Sequence, residues 1–182
     1  MAMEPQSGQQ PMVTHRTERL YAIKASYAKE LTTARNTLTQ RVQGPLSTGT
    51  VEMDASGLKD GNIAGFGVFQ DPYAYVAVRQ GDGIRKLIFC YKGKQTTIIE
   101  NLKQDKVWFR ARVTDKDFTA RLYYSLNGKD FSPVGEVLHM DLGYPWTANR
   151  FALLNYSETY EGIGALPILT GSDFIINNYY DS

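Results

Sequence analysis

From Arg19 onward the chain alternates apolar and polar positions with a period of two, in short runs typical of half-buried β-strands. "KVWFRARV" places Val107, Phe109, Ala111 and Val113 on one face and Trp108, Arg110 and Arg112 on the other. "FTARLYYSL" sets Phe118, Ala120, Leu122, Tyr124 and Leu126 against Thr119, Arg121, Tyr123 and Ser125. In "AYVAVRQ", Val76 and Val78 oppose Tyr75, Ala77 and Arg79. Further strands are expected at "RLYAIKA", "NTLTQRV", "GTVEMDA", "NIAGFGVFQD", "RKLIFCYK", "QTTIIENL", "RFALLNYS" and "SDFIINNYY", and one short helical turn at "AKELTTARN". The breaks carry Asp-Gly and Asn-Gly pairs (Asp60-Gly61, Asp82-Gly83, Asn127-Gly128), which supply the positive φ values of tight hairpins. The pattern predicts an all-β antiparallel sandwich or barrel. Its expected core is Val76, Val78, Val107, Phe109, Ala111, Phe118, Leu122, Tyr124, Phe151 and Leu153. One domain is expected over residues 19–182, preceded by a polar, Gln- and Pro-containing linker or tail over residues 1–18.

Composition removes several function classes. The 182 residues carry a formal net charge of +1, which gives no reason to expect nucleic acid or an anionic membrane as partner. No stretch approaches the roughly 20 apolar residues of a membrane span. The single cysteine, Cys90, alternates with Ile88 in an apolar run and reads as a small buried hydrophobe. Two histidines, His15 in the tail and His139 near a strand end, leave no nucleophile–histidine arrangement and no Cys/His metal site. Asp54, Asp60, Asp71 and Asp82 fall in or beside turns and read as turn caps. Such loop carboxylates would also allow a structural calcium ion, but no other cofactor is expected.

Sugar recognition is what the remaining inventory suits best. Tyr and Trp offer flat apolar platforms to a pyranose face, and Arg and Asn hydrogen-bond its hydroxyls. Two candidate surfaces follow. One is the loop holding Tyr144 and Trp146 around Pro145, with Asn155 and Tyr156 on the strand after it. The other is a face formed by Tyr75, Trp108 and Arg110.

The ordered set NTLTQR, a Gly-Pro pair, GLKDGNIAGFGVFQDPYAY, YSLNGKDF and RFALLNY closely resembles the C-terminal domain of family-43 glycoside hydrolases of the β-xylosidase and arabinofuranosidase group. The resemblance covers roughly residues 19–182 and implies a concanavalin-A-like jelly roll of two antiparallel sheets that follows a five-bladed propeller. It implies that the catalytic carboxylates lie on that propeller, so this chain is expected to be non-catalytic. Two roles follow from it. One is an accessory carbohydrate-binding module for xylan or xylo-oligosaccharides. The other is a structural domain that packs on the propeller and completes the active-site rim without binding sugar alone. A periplasmic or extracellular parent is favoured, with any export signal upstream. The sequence departs from the family pattern at "ETYEGIGALPILTGSDFIINNYY", where a loop over Gly162–Gly171 is expected and Ser172-Asp173-Phe174 is read as the remnant of the closing strand.

Overall fold

A computed structural model describes residues 18–34, 37–42, 44–140 and 149–172, and among these described residues it has thirteen strands. The strands are β1 (Glu18–Ala22), β2 (Ser26–Tyr27), β3 (Thr37–Arg41), β4 (Leu46–Asp54), β5 (Asn62–Phe69), β6 (Ala74–Gly81) and β7 (Ile84–Tyr91). They continue with β8 (Lys94–Ile99), β9 (Lys106–Thr114), β10 (Thr119–Ser125), β11 (Ser132–His139), β12 (Arg150–Ser157) and β13 (Ile168–Ser172). The only helical piece among the described residues is a single 3-10 turn at Leu31–Thr33, within the expected "AKELTTARN" segment. One sheet has the order β1-β13-β4-β9-β10-β11; the other runs β2-β12-β5-β6-β7-β8, with β3 pairing the first half of β12. All pairings are antiparallel except the short β2–β12 contact. The expected tail over residues 1–18 and the "SDFIINNYY" strand lie outside the described residues but for Glu18, which opens β1 and so belongs to the sheet, and Ser172.

Period-two alternation fills the space between the sheets. Val51, Met53, Val107, Phe109, Ala111, Val113 and Leu122 from one sheet meet Phe66, Val68, Val76, Val78, Leu87, Phe89, Phe151 and Leu153 from the other. Phe66 and Phe151 stack across β5 and β12 with centroids 5.6 Å apart. The register read from "KVWFRARV" holds: Phe109 is fully buried, while Trp108 and Arg110 point outward and are half-buried. Two expected core residues, Phe118 and Tyr124, are only partly buried and pack at the core's margin. Phe118 closes the β9–β10 hairpin with φ +51 and so sits in a turn, outside the alternation of β10.

Two strands depart from the sequence expectation. β11 falls in "SPVGEVLH", where the buried residues Val134 and Leu138 are four apart. A bulge between β10 and β11 moves the pairing from Ala120↔Leu138 to Leu122↔Val134 and hides the period of two. Gly135 sits inside it at φ +64, and a Cβ there would lie 2.2 Å from the Phe89 ring. The closing strand also begins earlier than expected. Ile168–Ser172 inserts between β1 and β4, so the end of the anticipated 162–171 loop is a strand. Phe109→Ala should cost about 3–5 kcal/mol by urea unfolding, as for other large-to-small core changes. Arg112→Ala, on the exposed side of the same strand, should change stability by about 0.5 kcal/mol or less.

Candidate functional site

The two outer faces of the sandwich are built differently. On the six-stranded sheet, β4, β9 and β10 bring Thr50, Arg110 and Tyr123 into one cross-strand row and Glu52, Trp108 and Ser125 into the next. These side chains already satisfy one another. The Trp108 indole N–H donates to Glu52 Oε2 at 3.1 Å, and Glu52 Oε1 pairs with Lys106 Nζ at 2.6 Å. The Asn127–Gly128 turn lies against the indole, since a Cβ on Gly128 would come within 2.9 Å of it. Arg110 donates through Nε to Thr50 Oγ1 at 2.9 Å, and its guanidinium lies 3.6 Å from the Phe131 ring centroid. Burial, and then the neighbouring Arg112, hold the Arg110 pKa below its ordinary value. This is the cross-strand Arg–aromatic packing of a finished surface.

The outer face of the seven-stranded sheet carries a second apolar layer. Ile63, Tyr73, Tyr75, Ala77, Ile88, Cys90, Leu154 and Tyr156 pack there against Ala28 and Leu31. The 25–34 segment is tied down by Ala28 N–H to the Ser157 carbonyl and by Ala25 N–H to the Ala165 carbonyl, both at 2.9 Å. Tyr75 and Tyr156 are therefore buried, and their hydroxyls share a hydrogen bond of 3.0 Å. Burial pushes both phenols well above their ordinary pKa and raises the Cys90 thiol as well.

Of the residues predicted from sequence to contact sugar, Tyr75 lies on the opposite outer face from Trp108 and Arg110, so the three do not form one surface. Asn155 and Tyr156, neighbours on one strand, point to opposite sides, and both are buried. The Asn155 amide nitrogen donates to the Ala165 and Ile23 carbonyls, a clamp on the entry and exit segments of the domain. Tyr144 and Trp146 lie outside the described residues. His139 is exposed at the end of β11, and Cys90 is buried as its alternation implied. Asp54 caps the Ser56 N–H at 2.9 Å, whereas Asp60 reaches across to the Gly83 N–H and joins two separate turns.

The apolar layer stops short of β8, and a groove of about 400 Å³ opens over β6, β7 and β8. Ile84 contributes its apolar surface with Ile88 buried at its floor, and Arg79, Asp82, Lys86, Gln95 and Thr97 form its polar rim. Register explains the grouping, because Arg79 faces Lys86 and Ile88 faces Thr97 across neighbouring strands. Arg79 is fixed from two sides: Nη1 donates to Gln95 Oε1 at 3.2 Å, and Nη2 pairs with Glu158 Oε2 at 2.7 Å. Lys86 Nζ pairs with Glu100 Oε2 at 2.7 Å. Apolar surface ringed by oriented donors and acceptors can hold a small polyhydroxylated ring by its face and its edge. Lys86, Gln95 and Thr97 gave no signal in the sequence, because polar residues on β7 and on the edge strand β8 look the same whether or not they line a groove.

This architecture defines a concanavalin A-like β-sandwich. The chain belongs to the family described as the beta-xylosidase C-terminal concanavalin A-like domain, the non-catalytic C-terminal module of family-43 glycoside hydrolases, which it matches over residues 5–163. A putative beta-xylosidase of Xylanibacter ruminicola is 30% identical over 132 residues, covering 72% of this chain and 24% of that protein. A bifunctional GH43-CE protein of Bacteroides eggerthii superposes with a TM-score of 0.73 at 31% identity, over 85% of this chain and 21% of that one. An engineered GH43 enzyme with endo-xylanase and exo-arabinofuranosidase activity shares the fold at a TM-score of 0.71 and 24% identity, over 85% of this chain and 34% of its own. The chain thus spans about a quarter of the curated relative it matches.

The tyrosine pair makes the outer layer testable. Tyr75→Phe or Tyr156→Phe alone should lower stability by about 1–3 kcal/mol, since each leaves a buried hydroxyl without its partner. The double change should cost less than the sum of the two. A strictly additive result in urea unfolding would contradict the pairing.

Proposed function

We propose that this chain is an accessory carbohydrate-binding module of a xylan-degrading family-43 glycoside hydrolase, with the catalytic carboxylates on a separate propeller domain. The observation that carries the proposal is the groove over β6–β8. It lies beside the covered part of the sheet, has apolar surface from Ile84 with Ile88 buried beneath, and has an Arg79 guanidinium held in place by Gln95 and Glu158. Sugar hydroxyls can exchange hydrogen bonds with Gln95, Thr97, Lys86 and Asp82, while the C–H face of a ring covers Ile84. The carboxylates next to the cations are already engaged, Glu158 by Arg79 and Glu100 by Lys86, which suits binding better than proton transfer.

Calorimetric titration of the chain with xylohexaose tests this. Binding is expected, and Gln95→Ala should weaken it about 2- to 12-fold, the effect of losing one hydrogen bond of ordinary strength. No xylose or arabinose should be released from oligosaccharides or aryl glycosides. Failure to bind any xylan fragment would leave the structural role, in which the module packs on the propeller and completes its rim.

A further inference from the structure

At the end of the sandwich where β2, β6 and β12 finish and β5 and β7 begin, two tyrosines form a feature that folding alone does not explain. Tyr160 is 75% exposed and Tyr27 39% exposed, yet their rings stack in parallel, with centroids 4.7 Å apart and planes within 6°. One face of Tyr160 is occupied by Tyr27, and its high exposure leaves the other side to solvent. A tyrosine that exposed gains little from burial.

The loop that carries Tyr160 is held at several points. The Ser157 hydroxyl donates to the Thr159 carbonyl at 2.6 Å, and Thr159 Oγ1 donates to the Asp60 carbonyl at 3.0 Å. The Glu158 N–H donates to the Gly61 carbonyl at 2.8 Å, and the Asn62 amide to the Gly162 carbonyl at 2.9 Å. A ring presented from such a frame binds without first having to be ordered. Two residues before Tyr160, Glu158 holds Arg79, which lines the groove. One ion pair therefore connects the groove to the loop bearing the tyrosine stack. From β6 to β2 the sheet advances three strand spacings, about 14 Å, which is too far for one sugar ring and within reach of a short chain.

We propose that the Tyr27–Tyr160 stack is a second subsite, on which a linear pyranose chain of xylan type lays the face of one sugar while another sugar of the same chain occupies the groove. This rests on the groove reading above and adds to it a minimum ligand length. Aromatic stacking of this kind is worth about 5- to 150-fold in affinity, taking stacking on nucleic-acid bases as the guide.

The test compares xylobiose with xylohexaose on the full chain by calorimetry. Tyr160→Ala should weaken xylohexaose by that factor and leave xylobiose unchanged, Tyr160→Phe should retain most of the affinity, and Gln95→Ala should weaken both ligands. Melting temperatures of the Tyr160 variants should stay within a few degrees of the parent. Tyr160→Gln, which removes the ring and keeps a polar side chain, should repeat the Ala result and so separates loss of the platform from local collapse. Unchanged xylohexaose affinity in Tyr160→Ala, with Gln95→Ala still weakened, would overturn the second subsite and leave the groove standing. No binding of either ligand by the parent would overturn both.

Discussion

The seven-stranded sheet is buried on both faces over only half its width, and the rest of the molecule depends on that constraint. Its inner face closes the main core through Phe66, Val76, Val78, Phe89 and Phe151. Its outer face at β12, β5 and β6 is sealed by Ala28 and Leu31 over Ile63, Tyr75, Leu154 and Tyr156. That double burial makes β5 and the first part of β6 almost continuously buried, a pattern more usual in sheets covered by helices. Here a short segment with a single 3-10 turn provides the cover, and it reaches only as far as the tyrosine layer. Beyond it β8 and the Ile84 end of β7 stand open, and the groove is the step between the covered and uncovered parts.

Rigidity and recognition follow from the same arrangement. The buried Tyr75–Tyr156 hydrogen bond and the Asn155 clamp join the 23–34 segment, the sheet and the 165 region into one body. Arg79 leaves this body at the first row that is not covered, and its guanidinium is shared between Gln95 of β8 and Glu158 beyond β12. The pair is partly exposed, so its contribution to stability is small, about 1 kcal/mol or less. Its larger effect is geometric, since it fixes the direction in which one wall of the groove presents hydrogen-bond donors. The opposite outer face contrasts with this: Trp108 and Arg110 look like a recognition surface in the sequence, yet their polar groups and ring faces are already engaged by Glu52, Thr50, Phe131 and the Gly128 turn.

Much of the fold was legible in the sequence because most strands obey a period of two. Phe109 inward with Trp108 and Arg110 outward could be read from alternation alone. β11 could not, because the bulge at Gly135 separates Val134 from Leu138 by four residues. The closing strand at Ile168–Ser172 was obscured by its departure from the family pattern. The candidate site was much less legible. Alternation places Tyr75 opposite Val76 correctly, but it cannot say whether that second face meets water or another layer. The near-unbroken apolar run of "NIAGFGVF" was the available sign of double burial. Which polar residues ring a groove depends on where the cover ends, and that is a property of chain path that local pattern does not encode.

The central claim is that ligand lies against the uncovered half of the seven-stranded sheet. Backbone amide chemical shifts recorded during titration with xylohexaose test it most directly. The account predicts that the largest changes map to β6, β7 and β8 around Arg79, Lys86, Gln95 and Thr97. Changes centred on Trp108 and Arg110 of the opposite sheet, or none at saturating sugar, would contradict it.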